Sequence, residues 1–141
     1  MIEPGEVVAR VLAVAPGFGP RWEQHLATWD GAERGDFNDA TELARYLVES
    51  YAAGATSEFP AVFGVLDQVL ESGTPAARNL VAVGVIEDLQ TIASHEAFGG
   101  QVFLEWLGPR GTEMYHRIRA QWAGKQSLAD VIRAERSSKG E

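Results

Sequence analysis

The chain has 141 residues, the usual size of one domain, and 45% of them are apolar, which supports a buried core and argues against intrinsic disorder. It contains no cysteine, which excludes disulfides, thiolate metal sites and cysteine nucleophiles. The formal net charge of −8 disfavours binding to the phosphates of DNA.

Two short amphipathic helices are predicted first. Apolar residues at helical spacing predict one over residues 6–15, and the sequence Pro-Gly-Phe-Gly-Pro over residues 16–20 ends it. Large side chains at the i, i+3, i+4 and i+7 positions predict a second helix, carrying Trp22, His25, Leu26 and Trp29. The acidic start of the chain, residues 1–6, lacks the basic region of a secretory signal, so we expect a cytoplasmic protein.

Short start and stop signals place the next two helices. Asp39, followed three residues later by Glu42, predicts a capping box at the start of a third helix, and Gly54 predicts the end of that helix. Ser57 predicts the N-cap of a fourth helix with a proline in its first turn. This helix has the most regular apolar stripe in the chain, and Gly73 predicts its end.

A fifth helix, over residues 74–95, is predicted to be the buried centre of the fold. Thr74-Pro75 combines an N-cap hydroxyl with a proline at the first helical position. Between residues 80 and 86 apolar side chains fall on every side of the helix, so other elements should surround it. This apolar stretch is too short to cross a membrane, and no membrane association is expected.

The last third of the chain predicts three more helices. We expect a short one over residues 103–107, a longer one that ends at Gly124, and a last one capped by Ser127. No strand pattern is found, so the sequence predicts an all-α fold: an irregular bundle or array of seven to eight short helices around a central buried helix. Residues 1–136 should form this single domain, and residues 137–141 should fray.

Charge is distributed unevenly along the chain. Residues 1–108 contain 16 acids and 5 bases, a net charge of −11, whereas residues 109–141 contain 7 bases and 4 acids, a net charge of +3. The acidic part predicts a surface for a basic protein partner, with a merely solvated face as the alternative. The candidate partner-binding residues are Asp30, Glu33, Asp36, Asp39, Glu42 and Glu49. The basic end is a candidate for binding an anion or RNA through Arg110, Arg117, Arg119, Lys125, Arg133, Arg136 and Lys139.

Polar residues on the central helix allow two interpretations. Asn79, Glu87 and Gln90, with Gly84, fall near one helix face and predict a structural polar network that satisfies buried groups. Alternatively, Glu87 lies in a cleft of a small ligand-binding or catalytic domain, which a buried and fully hydrogen-bonded Glu87 without an adjoining cavity would exclude.

The sequence carries no recognisable catalytic constellation. Glu87 has no evident partner acid or nucleophile, so no catalytic residue is predicted. The three histidines lack the spacing of a metal pair, and neither a metal nor another cofactor is predicted. The sequence leaves the oligomeric state open, including a homodimer formed through exposed apolar residues.

The segment Asn-Leu-Val-Ala-Val-Gly-Val-Ile-Glu-Asp-Leu-Gln, from Asn79 to Gln90, resembles the hallmark helix of a family of small, largely uncharacterised bacterial helical proteins. The resemblance extends back to Phe59 and departs from the family pattern at Ile86, where the family has an aromatic residue. Some members are immunity-type proteins of toxin–immunity loci. The resemblance implies that the fold depends on Asn79, Gly84, Glu87 and Gln90, and it implies no catalytic residue.

From these observations we expect a non-enzymatic protein-binding domain. Its most concrete form is a bacterial immunity protein or inhibitor whose acidic face covers the active cleft of a cognate basic toxin. The alternative is a small ligand-binding or catalytic domain with Glu87 in a cleft.

Overall fold

The computed structural model describes residues 1–30 and 35–123, and within these ranges the chain is helical apart from short turns and one isolated bridge between Ile2 and Gly73. The all-α prediction is confirmed. The helices outside the centre are α1 (Val7–Val14), α2 (Gly19–Trp29), α3 (Gly35–Ala52), α4 (Phe59–Ser72) and α7 (109–123). Single 3₁₀ segments cover Pro4–Glu6, Pro16–Phe18 and Gly100–Glu105.

The central helix consists of three consecutive segments: α5 (Pro75–Asn79), a π-helical segment (Leu80–Glu87) and α6 (Asp88–Ala93). The predicted cap is confirmed, because the Thr74 hydroxyl accepts a hydrogen bond from the Ala77 amide at 3.1 Å. The buried side chains of the central helix include Leu80, Val81, Val85, Ile86 and Leu89. The sequence predicted a continuous helix here but not that its middle part would be π-helical. In a π-helix the hydrogen bonds run from residue i to residue i+5, and apolar residues that fall on every side of the helix do not reveal this wider turn.

The other helices pack around this centre. Helix α3 lies along the π-helical segment and α6, and α1 packs on α4. The Thr41 hydroxyl on α3 donates to Asp88 Oδ2 at 2.5 Å, which fixes α3 against the start of α6. Buried rings of Phe59, Phe63 and Phe103 fill the space between α4 and the last 3₁₀ segment. No helix in the two described ranges has both the length and the hydropathy of a membrane span.

Two of the predicted helix starts are wrong. Helix α3 begins at Gly35, so Asp39 lies inside the helix, where its carboxylate meets His25 instead of capping a helix end. Helix α4 has Glu58 rather than Ser57 at its N-cap position, and the Glu58 side chain bonds outside its own helix. In both cases the carboxylate near the helix start, that of Asp39 or of Glu58, contacts a residue of another helix.

The predicted break over residues 16–20 is also shorter than expected. Pro16–Phe18 forms a 3₁₀ turn and α2 starts directly afterwards, with Pro20 in its first turn, where a missing amide hydrogen costs no helical hydrogen bond.

Helix α7 begins after Gly108 and is capped by a residue of α4. Asp67 Oδ1 accepts a hydrogen bond from the Gly111 amide at 2.8 Å, one of the amides that lack a partner at a helix start. The end at Gly124, the Ser127 helix and the tail over residues 137–141 lie outside the described residues.

Candidate functional site

A cleft of about 710 Å³ separates α2 from α3. Its walls carry mainly polar side chains, in contrast to the apolar floor of most small-molecule pockets. From α2 and the turn before it come Gly17, Pro20, Arg21, Gln24, His25, Thr28 and Trp29; from α3 come Asn38, Thr41, Glu42, Arg45 and Tyr46.

Arg21 connects the two walls by a double ion pair. Its Nε donates to Glu42 Oε1 at 2.6 Å, and its Nη1 donates to Glu49 Oε2. Burial lowers the pKa of Arg21, but hydrogen bonds to Glu49 and Glu42 and their negative charges outweigh it, so the pKa is raised above its usual value. Arg21 therefore stays protonated and holds both carboxylates in place.

His25 adds a second polar connection beside the first. Its Nε2 lies 2.9 Å from Asp39 Oδ1, and its Nδ1 lies 3.8 Å from Glu42 Oε2. The imidazole side chain is only 8% exposed and lies between the rings of Trp22 and Trp29. These contacts fix the ring plane and place Asp39 and Glu42 at opposite nitrogens of the ring. Glu42 lines the cleft, whereas Asp39 lines a neighbouring groove.

Tyr46 lines the cleft and is bonded to Glu58, which precedes α4. The Tyr46 hydroxyl donates to Glu58 Oε1 at 2.7 Å, and the Gly17 amide donates to Glu58 Oε2 at 2.8 Å. Burial, followed by the hydrogen bond to Glu58 and its charge, raises the pKa of Tyr46 to about 12. A Cβ atom on Gly17 would lie 2.6 Å from the Tyr46 hydroxyl oxygen, so this arrangement requires glycine there.

A smaller groove of about 310 Å³ lies between the central helix and α7. Glu87 is half-buried and lines it together with Asn79, so the carboxylate does adjoin a cavity. The remaining lining residues are Arg78, Ala82, Val83, Met114, Arg117, Ile118 and Gln121.

The other two residues of the predicted polar network, Gly84 and Gln90, do not line this groove. Gly84 is buried against α3, and Gln90 is 2% exposed with its Nε2 3.5 Å from the Tyr115 carbonyl oxygen. In the described residues no side-chain hydrogen bond joins any two of the four residues Asn79, Gly84, Glu87 and Gln90.

The chain matches the family described as Domain of unknown function (DUF7674) over residues 8–123. It belongs to this family. No curated protein and no solved structure gave a match to the chain. The matched range of the DUF7674 domain runs from α1 to the last described residue of α7, so it contains both the cleft and the groove.

The six candidate acidic residues of the DUF7674 domain lie in different surroundings. Asp39, Glu42 and Glu49 are brought together in the cluster with Arg21 and His25. Asp30 and Asp36 are exposed, and Glu33 lies outside the described residues. Of the basic candidates, Arg110, Arg117 and Arg119 are exposed on α7, whereas Lys125, Arg133, Arg136 and Lys139 lie outside the described residues.

The sequence did not predict Arg21 and His25 as residues of the site. A signal for them exists: Arg21 and His25 are four residues apart, and Glu42 and Glu49 are seven apart, so each pair shares one face of its helix. In the described ranges, no group of three or more His, Asp or Glu side chains is arranged so that it could hold a metal ion.

Proposed function

We propose that this DUF7674 domain is a non-enzymatic protein-binding domain of the immunity or inhibitor type, and that its α2–α3 face binds a basic segment of a partner protein. The α2–α3 face comprises the described residues 19–30 and 35–52. One observation carries the proposal: an ion-pair cluster already fixes the carboxylates of Asp39, Glu42 and Glu49 on this face, beside an open cleft that Glu42 lines.

The charge of this face favours a basic partner. It contains six acids and two bases, a net charge of −4, which is half of the net charge of the whole chain. Such a field increases the rate of encounter with a cationic surface. Because the Arg21–Glu42–Glu49 contacts already order these side chains, a partner would not have to immobilise them on binding.

The chemistry of the cleft favours binding over catalysis. A general acid or base works best with a pKa near the working pH, whereas the pKa values of Arg21 and Tyr46 are both moved further from neutrality. The hydroxyl groups that line the cleft are also engaged: Thr28 bonds to the Gln24 carbonyl oxygen, and Thr41 bonds to Asp88.

Charge reversal on the α2–α3 face tests the proposal. The Asp30→Lys/Asp36→Lys variant changes two exposed carboxylates of the α2–α3 face, whereas Glu71→Lys/Glu96→Lys makes the same charge change on exposed residues elsewhere. Each variant is titrated against the purified proteins encoded by the genes that flank the gene of this chain, and each is co-expressed with those proteins to measure growth.

We expect the first variant to bind about tenfold or more weakly at low salt and the control to bind nearly as the unmodified chain does. Protection of growth should be lost in parallel. Binding by none of these proteins, or equal binding to both double variants, would overturn the proposal.

A further inference from the structure

One side of the central helix is open to solvent. Side chains that are exposed or half-buried recur on it every four residues, at Asn79, Val83, Glu87 and Thr91. Four residues are close to one turn of a helix, so these side chains form one strip along the helix. This strip, called here the central strip, is the part of the most buried helix that a partner could reach.

The middle of the central strip is apolar. Val83 is 40% exposed, although the residues on either side of it, Ala82 and Gly84, are buried. Phe37 of α3 is 49% exposed and lies close by, since its Cδ1 would be 3.3 Å from a Cβ atom on Gly84. Only four large apolar side chains are exposed in the described residues, so two of them near each other on one face indicate a contact surface.

The two polar ends of the central strip complement each other. Asn79 lies four residues before Val83, and Glu87 lies four residues after it. Side chains of a helix all lean toward its N-terminus, so the symmetry about Val83 is kept at their tips. Arg78 adds a positive charge to the first end, and Asp88 adds a negative charge to the second. A second strip running in the opposite direction would therefore place an amide and a positive charge opposite each acidic end.

We propose that two copies of this chain form a twofold dimer through the central strip, with their central helices packed antiparallel about Val83. The Asn79 amide of each copy donates to the Glu87 carboxylate of the other, and the two Val83 side chains meet at the axis. Phe37 extends the apolar contact on one side, and Met114 of α7, which lines the groove beside Val83, extends it on the other.

The charge of the central helix favours a second copy in this orientation. Residues 75–94 contain one base, Arg78, and two acids, Glu87 and Asp88, a net charge of −1 against −8 for the whole chain. Two copies of an acidic chain can therefore meet here with little repulsion. A parallel pair would bring the two acidic ends together, which like-charge repulsion disfavours. Because the contact is limited to one helix and its flanks, we expect a dissociation constant of about 10–100 µM.

Sedimentation velocity and light scattering on the full chain, at up to about 500 µM, measure the dimer. Val83→Glu places two carboxylates together at the axis and should weaken association about tenfold or more. Val14→Glu is the matched control, because Val14 is a 38% exposed valine of α1, and it should leave association unchanged. A chain that stays monomeric at every concentration, or that both variants affect equally, would overturn the proposal.

Two further variants test the direction of the pairing. Asn79→Glu should weaken the dimer because it places a carboxylate opposite Glu87 of the second copy, and Glu87→Lys should weaken it because the Asn79 amide loses its acceptor. An equimolar mixture of the two variants should associate again, since the new carboxylate at position 79 then meets the new ammonium group at position 87.

The double variant Asn79→Glu/Glu87→Lys should associate for the same reason, now as a homodimer. Single variants that associate as the unmodified chain does, or a double variant that remains monomeric, would overturn the antiparallel arrangement. These measurements need no other protein, so their outcome is independent of the partner of the α2–α3 face.

Discussion

A Cβ atom on Gly84 would lie 2.8 Å from the Cβ of Ala40, closer than two such atoms approach each other in folded proteins. The contact joins the π-helical segment to α3, which pack along each other. Phe37 Cδ1 would lie 3.3 Å away on the same side. Since the Cβ of Ala40 is attached to the backbone, it cannot turn aside, and a larger residue at position 84 must push the two helices apart.

We therefore expect Gly84→Ala to destabilise the protein by about 1–3 kcal/mol, and Gly84→Leu by more. The overpacking should exceed the gain of about 0.5–1 kcal/mol that alanine normally brings to a helix interior. Gly64→Ala is the matched control, because Gly64 is an exposed residue of α4 with nothing within 4 Å of an added Cβ. That variant should be stabilised by about 0.4–1 kcal/mol. Urea unfolding measures all three, and stabilisation of Gly84→Ala would refute the close contact.

The double ion pair of Arg21 should contribute far more to stability than an exposed pair. Removing it in Arg21→Ala leaves Glu42, whose side chain is 15% exposed, without its 2.6 Å partner. We expect a loss of about 1.5–3 kcal/mol in the free energy of unfolding. Glu113→Ala breaks the Arg117–Glu113 pair, in which both side chains are 59% exposed, and should cost less than about 0.5 kcal/mol. Equal losses in the two variants would show that the cluster is solvated.

Local signals predicted the helices well because caps and glycines act within one turn. Thr74-Pro75 starts the central helix, and Gly73 ends α4 directly before it, as the sequence indicates. Asp39 shows where this reasoning fails. Its spacing to Glu42 fits a capping box, but the deciding partner is His25, 14 residues earlier on another helix.

The candidate site was therefore only half predictable. Sequence composition located the acidic residues, but the rotation of α2 against α3 decides that Arg21 meets Glu42 and Glu49. Periodicity gives the face of each helix and not the register between two helices. The groove at Glu87 depends in the same way on the position of α7, which Asp67 fixes from a distance of 44 residues.

Asp67 and Gly108 should be energetically coupled. Asp67→Ala removes the cap on the Gly111 amide and should cost about 1 kcal/mol. Gly108→Ala should also destabilise, since its Cβ would lie 2.5 Å from Asp67 Cγ and displace the carboxylate. In the double variant the second penalty should largely disappear, because the obstructing carboxylate is gone. Strict additivity in urea unfolding would contradict this coupling.

The Tyr46–Glu58 hydrogen bond predicts a change of stability at alkaline pH. The folded state raises the pKa of Tyr46 from 10.0 to about 12, so it favours the protonated phenol. The stabilisation is therefore complete below about pH 10 and is lost as the pH rises through about 12. Tyr46→Phe lacks this bond, so the difference in unfolding free energy between it and the unmodified chain should shrink over that interval. A difference that stays constant between pH 9 and pH 12 would contradict the bond.

Gln90 allows a direct test of the polar network predicted from the sequence. It is 2% exposed, its Nε2 is at the limit of hydrogen-bond distance from the Tyr115 carbonyl oxygen, and its Oε1 has no partner in the described residues. A buried carbonyl without a partner is destabilising by about 1–3 kcal/mol, so Gln90→Met, which keeps length and shape, should be neutral or stabilising. Gln90→Ala, which also leaves a cavity, should be clearly less stable than Gln90→Met. A loss of more than about 2 kcal/mol in Gln90→Met would instead mean that the amide is fully hydrogen-bonded in solution, as a network on the central helix requires.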